Sequence, residues 1–236
     1  MKIEHLTWDS DFFGFKIGKI NFNNSEERLL LLLKDAKLQD YRLIYVFTGE
    51  HTTLSTGLLN QWHGKLVDRK IVYRKAVNID KINFESNGSI ISYETELSDK
   101  LLDLTFLSGQ CSRFKLDKNF PKGSFEKMYK EWMVKSLSGE LADRVFVAKE
   151  KDEMLGFVTL KIKNSSGEIG LIAVDKKAQG KGIGTQLISA CEKYLSEKSI
   201  LNLKVPTQLE NSQACRFYEK YGFIKQCITN IYHFWL

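Results

Sequence analysis

The stretch Glu168-Ile169-Gly170-Leu171-Ile172-Ala173-Val174-Asp175-Lys176-Lys177-Ala178-Gln179-Gly180-Lys181-Gly182-Ile183-Gly184-Thr185-Gln186-Leu187-Ile188 decides the fold class. Its first part is apolar and β-leaning. Its last part opens a helical pattern in which Ile183, Leu187, Ile188, Cys191 and Leu195 share one face. A strand therefore meets a helix through a loop with glycines at 180, 182 and 184. Such a junction leaves several backbone N–H groups unpaired and pointing one way. The helix dipole adds about half a positive charge there, which suits a phosphate group. Glycine lets the backbone turn at positive φ and approach a ligand closely. A dinucleotide fingerprint would require glycine at 185, where Thr185 stands. A nucleoside-triphosphate loop would require Ser or Thr after Lys181, where Gly182 stands. Both patterns fail; the pattern present is Gln179-x-x-Gly182-x-Gly184.

A second phrase lies downstream: Asn211-Ser212-Gln213-Ala214-Cys215-Arg216-Phe217-Tyr218-Glu219-Lys220-Tyr221-Gly222-Phe223. Asn211 is placed to cap a helix and Gly222 to end it. The alternative for the loop is a plain glycine-rich strand-to-helix turn, and Tyr218 taken alone reads as a core aromatic. Loop and helix together, in this order and at this spacing, resemble the GNAT superfamily of N-acyltransferases. The resemblance implies an α/β fold with a mixed sheet and acetyl-CoA as co-substrate. It implies a coenzyme site built from Ile172, Ala173, Val174, Gln179, Gly180, Lys181, Gly182, Ile183, Gly184, Thr185 and Asn211. Tyr218 matches the superfamily's general acid.

The chain has 236 residues, 43% of them hydrophobic, enough for one large or two small domains with a proper core. Its net charge of +6 suits a soluble enzyme with anionic ligands, since no block of like charges and no basic helix face points to nucleic acid. Cys111, Cys191, Cys215 and Cys227 form no Cys-x-x-Cys pair and read as reduced thiols of a cytoplasmic protein. The start shows no signal-peptide pattern, and the leucine run Leu29 to Leu33 is too short to span a membrane. His5, His51, His63 and His233 lack ligand spacing, so no metal site is expected.

Residues 3 to 22 read as two strands around an aromatic turn, Trp8-Asp9-Ser10-Asp11-Phe12-Phe13-Gly14-Phe15. Two readings of that turn stand: a hydrophobic plug, or a binding edge whose rings stack on a base or sugar while Asp9 or Asp11 accepts hydrogen bonds. A helix follows from Ser25 to about Gln39, then an apolar strand from Arg42 to Thr48, a helix near Thr53 to Trp62 and a strand from Lys65 to Val77. Asn78 to Gly88 is polar and is the expected boundary. This divides the chain into a smaller N-terminal α/β domain, residues 1–82, contributing to acceptor binding, and an acetyltransferase domain, residues 83–236. The second domain should open on a strand from Ser89 to Glu94. Phe223 to Trp235 should end it with a pair of strands.

The opening Leu6-Thr7-Trp8-Asp9-Ser10-Asp11-Phe12-Phe13-Gly14, the phrase Ser112-Arg113-Phe114 with Asp117 and Phe120, and the two-domain length resemble the TDP-fucosamine acetyltransferase family. That resemblance spans essentially the whole chain and is thin between about 23 and 90. It implies transfer of acetyl to the 4-amino group of a dTDP-linked 4-amino-4,6-dideoxyhexose for surface polysaccharide synthesis. It makes Trp8, Asp9, Asp11, Phe13 and Arg113 acceptor-site candidates and a homodimer a candidate assembly. Arg113 reads either as a partner for the diphosphate or as part of a structural salt bridge. The base is open among Glu168, Asp9, Asp11 and a water chain. Acetylation of another small amine and a non-catalytic acyl-CoA-binding module are the competing functions.

Overall fold

The computed structural model describes residues 1–77, 89–93 and 96–236. The N-terminal elements are β1 (Glu4–His5), α1 (Thr7–Phe13), β2 (Lys16–Asn21), α2 (Glu26–Leu38), β3 (Tyr41–Gly49), α3 (Thr56–Gln61) and β4 (Gly64–Ala76). Next come β5 (Ser89–Ser92), α4 (Asp99–Ser108), α5 (Arg113–Leu116), α6 (Ser124–Leu137), β6 (Arg144–Glu150) and β7 (Glu153–Lys163). The chain ends with β8 (Ser166–Val174), α7 (Ile183–Glu197), β9 (Asn202–Gln208), α8 (Ser212–Tyr221) and β10 (Ile224–Trp235).

Local chemistry accounts for most of these boundaries. Ser25 caps α2 by accepting from the Arg28 amide at 3.3 Å, and Glu26 and Glu27 occupy the positive first turn. Of the leucine run, Leu29 and Leu33 are buried together with Ala36, one stripe at helical spacing, while Leu31 is exposed. The aromatic segment expected as a turn is instead the helix α1. Ser10 turns inward, its hydroxyl donating to the Leu6 carbonyl at 2.7 Å, and Gly14 ends the helix in the left-handed region. The expected final pair of strands is one strand, β10. Its run contains no turn dipeptide, and it finds hydrogen-bonding partners along both edges.

The strands form one mixed sheet in the order β1-β2-β3-β10-β4-β9-β8-β7-β6-β5. Among the described residues only β2–β3 and β8–β9 pair in parallel. The last strand of the chain thus lies between β3 and β4, and β4 lies between β10 and β9. The expected boundary, Asn78 to Gly88, lies outside the described residues, as does Glu94. Burial along β10 follows from its place. Asn230 to Phe234 are consecutively buried because the strand is covered on both faces. Tyr232 and Phe234 pack in a cluster with Leu29, Leu33 and Ile44. Trp235 packs in another with Phe120 and Tyr45. A third cluster joins α7 and α8 to Ile71, Tyr73 and Leu203, and a fourth joins α4 and α6 to Phe157 and Ala173.

Each buried side chain the size of Ile231 or Phe234 stabilises by ~1.5–3 kcal/mol, and β10 supplies the ladder for strands on both sides. Deletion of residues 224–236 is therefore expected to abolish the cooperative thermal transition of the whole chain, followed by circular dichroism. A truncated chain that still melts in one sharp step would show that both flanks stand without β10.

Candidate active site

The site begins with a failure of pairing. β8 and β9 run parallel but pair only at Gly167 with Leu203 and at Glu168 with Lys204. Beyond those rungs β8 stays with β7, up to Val174 opposite Gly156, while β9 stays with β4 out to Gln208 opposite Lys70. The β7–β8 ladder slips between Val158 and Leu160, where the Leu171 amide donates to Thr159 Oγ1 at 2.8 Å. The facing edges of Ile172, Ala173 and Val174 are thereby open to a cavity of about 1020 Å³, which these three residues line.

The glycine loop closes the wide end of this cleft. Asp175 caps a single 3₁₀ turn, Lys176–Ala178, accepting from the Lys177 amide at 2.9 Å, and is paired with Lys100. Gly180 and Gly182 follow at φ 79° and 81°. Gly182 is the N-cap of α7 and has no side chain to satisfy the first-turn amides, which leaves them for a ligand. Gly184 is needed for a different reason: a Cβ there would meet the Phe217 ring at 3.0 Å, so its absence lets α7 and α8 approach. Gln179 ties the loop down, donating to the Val174 carbonyl at 3.3 Å and accepting from Gln213 at 3.0 Å. Gln179, Gly180, Gly182, Ile183, Gly184 and Thr185 all line the cavity. Lys181 is exposed and does not.

The far wall comes from α8. Asn211 caps it, accepting from the Ala214 amide at 3.2 Å, and Asn211 and Tyr218 both line the cavity. Tyr218 is 3% exposed, packed against Tyr73, Phe217 and Phe223. Burial, then the neighbouring Cys215, raises its pKa above the ordinary phenol value, so its hydroxyl keeps its proton at neutral pH. Leu107, Ser108, Gln110 and Cys111, from the end of α4 and the loop after it, also line the cavity. No spacing in the sequence links them to the glycine loop. Only the polar character of the segment from Ser108 onward hinted at them.

A second cavity, of about 460 Å³, is lined by Trp8, Asp9, Lys70, Arg113, Phe114, Trp132, Lys135, Glu140 and Leu141. The structure thus brings Trp8 and Asp9 of α1 together with Arg113 of α5. Phe13 instead packs on Phe120 and Phe114, and Asp11 is exposed; neither lines a cavity. Arg113 lies over the rings of Phe114 and Tyr45, with Nη1 4.0 Å from Asp68 Oδ2. Burial raises the Asp9 pKa, and Tyr45 donates to its carboxylate at 3.5 Å. Lys70 has no salt-bridge partner among the described residues, whereas Lys135 pairs with Glu131 and Glu140. One cavity suits a diphosphate carried on an apolar arm. The other offers aromatic walls and, in Lys70, a cation without a salt bridge among the described residues. Glu168, at the start of β8, is exposed and lines neither. Among the described residues no group of three or more His, Cys, Asp or Glu is placed to hold a metal. No helix among them is long and apolar enough to cross a membrane.

Comparison with known proteins agrees with this geometry. Residues 110–223 match the model of the acetyltransferase (GNAT) family. The chain is 24% identical over 222 residues to dTDP-fucosamine acetyltransferase of Escherichia coli O6:H1, covering 93% of this chain and 92% of that one. It is 27% identical over 124 residues to the spore coat polysaccharide biosynthesis protein SpsD of Bacillus subtilis, covering 52% of this chain and 43% of that one. In fold it is similar to a GCN5-related N-acetyltransferase from Sphaerobacter thermophilus, with a TM-score of 0.59 at 12% identity, covering 98% of this chain and 75% of that one.

Gly182→Asp is expected to weaken coenzyme A binding at least about 100-fold, ~2.7 kcal/mol, because it puts a carboxylate among the free amides. A non-glycine residue at this φ costs about 1–2 kcal/mol, so the variant should melt a few degrees lower yet remain folded. Calorimetric titration beside a thermal melt checks both; unchanged affinity in a folded variant would remove the phosphate role from this loop.

Proposed function

We propose that this chain, whose residues 110–223 match the acetyltransferase (GNAT) family, is an acetyl-CoA-dependent N-acetyltransferase whose acceptor is the 4-amino group of a dTDP-linked 4-amino-4,6-dideoxyhexose in surface polysaccharide synthesis. The observation that carries the reading is the pair of cavities. A cleft between β8 and β9, closed by a glycine loop and walled by Tyr218, accompanies an aromatic and cationic cavity lined by Trp8, Lys70 and Arg113. The whole-length similarity to dTDP-fucosamine acetyltransferase supports the sugar, and the match to a spore coat polysaccharide protein supports the pathway class.

The chemistry follows from the positions of these groups. Amides from Gly180 to Thr185 hold the coenzyme's pyrophosphate. Open edges of Ile172, Ala173 and Val174 bind the pantetheine amides and polarise the thioester carbonyl, whose oxygen becomes an anion in the tetrahedral intermediate. The acceptor nitrogen attacks, the C–S bond breaks, and the Tyr218 hydroxyl donates a proton to the departing sulfur. Trp8 stacks on the nucleobase. Lys70 and Arg113 attract the diphosphate, with guanidinium geometry suited to phosphate oxygens. Residues 1–82 contribute Trp8, Asp9 and Lys70 to the acceptor site, and residues 83–236 complete it with Arg113 while carrying the acetyl-transfer groups.

Thiol release from acetyl-CoA should be fast with dTDP-4-amino-4,6-dideoxygalactose and slow with polyamines or aminoglycosides. The reverse order would assign a different amine, and binding of acetyl-CoA without any turnover would assign a sensor. Tyr218→Phe keeps the ring and removes the donor. It is expected to lower kcat by ~10²–10⁴-fold with little change in acetyl-CoA affinity, the mark of an interaction made in the transition state. Near wild-type turnover would mean that the thiolate leaves unprotonated. Trp8→Ala should raise the acceptor KM by about 10-fold or more through lost stacking and leave the KM for acetyl-CoA unchanged; equal effects on both would return Trp8 to a packing role.

A further inference from the structure

Trp8 and Asp9 are neighbours on α1, and both line the smaller cavity beside Lys70 and Arg113. Phe12 stacks on Trp8 at 5.1 Å, yet the indole remains 37% exposed. Charge on this wall is not balanced locally. Arg113 attracts Asp9, but its Nη1 stands 4.0 Å from Asp68, and neither Asp9 nor Lys70 forms an ion pair among the described residues. Glu140, the other carboxylate on the cavity, is paired with Lys135. Lys135 lies 5.9 Å from the Trp8 ring and is held by Glu131 as well.

The donors that reach the Asp9 carboxylate are its own backbone amide and the Tyr45 hydroxyl. The latter is 3.5 Å away, long for an O–H···O bond. An ionised carboxylate offers about four lone-pair sites, so most of its accepting capacity is left to the cavity.

A bare carboxylate repels a diphosphate held within a Debye length, about 8 Å at physiological salt. It favours binding only when the ligand also brings it a hydrogen-bond donor. A nucleoside 5′-diphosphate carries such a donor in the right place. Base, pentose and diphosphate follow in that order, so the pentose hydroxyl lies between the ring that stacks and the phosphates. The wall repeats the order: Trp8, then Asp9 beside it in the chain, then Arg113, whose charge Asp9 feels. Carboxylates take pentose hydroxyls in dinucleotide-binding folds as well, because an O–H···O⁻ bond is short and about twice as strong as a neutral one.

We propose that Asp9 is a specificity-determining residue of the acceptor site, its carboxylate accepting a hydrogen bond from the pentose hydroxyl of the acceptor's nucleoside diphosphate. The inference rests on the nucleotide-sugar reading given above. In a deoxythymidine diphosphate that hydroxyl is the 3′-OH. The same carboxylate rejects a 3′-phosphate, the group that marks the coenzyme's own nucleotide. Asp9 thereby keeps the two nucleotide ligands to their own cavities.

The test is calorimetric titration of the full chain with dTDP and with 3′-deoxythymidine 5′-diphosphate, with coenzyme A saturating so that the larger cavity is filled. Wild type should bind the 3′-deoxy analogue about 10- to 100-fold more weakly than dTDP, the range for a hydrogen bond to a charged group. In Asp9→Ala that preference should shrink to about twofold or less. The variant should also bind the 3′-deoxy analogue at least as tightly as wild type does, since the repulsion of the diphosphate is gone; loss of a merely structural group would not produce that sign. Asp9→Asn keeps a neutral acceptor and should retain part of the preference. Coenzyme A affinity should be the same in all three proteins. Wild type that binds both nucleotides equally overturns the assignment and leaves the nucleotide-sugar reading standing, and this comparison needs no variant to fold. Asp9→Ala that keeps the full preference also overturns it. Wild type that binds neither nucleotide overturns the acceptor reading, and the role of Asp9 with it.

Discussion

Two parallel strands that pair for two rungs and then part are the constraint on which the rest depends. β8 is hydrogen-bonded to β7 on its outer edge and β9 to β4 on its own. Each strand is therefore held by a partner on the side away from the cleft. The inner edges keep donors and acceptors that the sheet does not satisfy, and backbone groups left in that state demand water or ligand. The glycine loop, the uncapped start of α7 and the wall of α8 are arranged about that opening. Val174 lies opposite Gly156 on β7, where an added Cβ would sit 2.7 Å from the Ala173 carbonyl oxygen. The strand that carries the open edge is thus pressed close to its neighbour, which fixes the direction of its free amides.

The second determinant is the crossing of strands between the two ends of the chain. With β10 seated between β3 and β4, the elements α1, α5 and α6 meet over the middle of the sheet. The segment that carries Arg113 is anchored to β10 through Asp117, which accepts from His233 Nδ1 at 2.6 Å and from Trp235 Nε1 at 2.9 Å. Burial works against the Asp117 carboxylate, yet those hydrogen bonds hold its pKa below the usual range. Burial also drives His233 down to about 4, so the ring is neutral and stacks on Tyr45 at 4.7 Å. Tyr45 in turn lies under the Arg113 guanidinium and donates to Asp9. The last strand of the chain, a loop from its middle and a helix from its start thereby hold one polar cluster in register.

A smaller network braces the wall of the larger cavity. Glu192 on α7 is 5% exposed, is paired with Lys75 on β4, and accepts from the Tyr221 hydroxyl at 2.7 Å. Lys75 also lies over the Tyr221 ring at 4.9 Å. Tyr221 lines the larger cavity, so the pair binds both helices of that wall to the sheet. A buried charge of this kind is tolerable because each partner is hydrogen-bonded.

Local pattern wrote the glycine-loop wall of the larger cavity into the sequence. The loop at Gln179 to Gly184, the cap at Asn211 and the stripe from Ile183 to Leu195 each depend on residues a few positions apart. Lys181 was grouped with its neighbours because a motif does not say which side chains turn outward. The aromatic segment at Trp8 hid a helix, since ring content outweighed the capping glycine at 14. The run from Ile224 to Trp235 carries β-leaning residues for one strand or two, and only its neighbours on each side chose one. Lys70 was not legible at all, and the wall at Ser108 to Cys111 was hinted at only by its polarity. Their part in the site comes from contacts across scores of residues, with no periodicity to announce them. The sequence by itself determined the strand–glycine loop–helix unit and the helix bearing Tyr218, because backbone geometry and helix spacing act over short range. The tertiary structure alone decided which charges line the smaller cavity, because the exchange of β4 and β10 sets those side chains together.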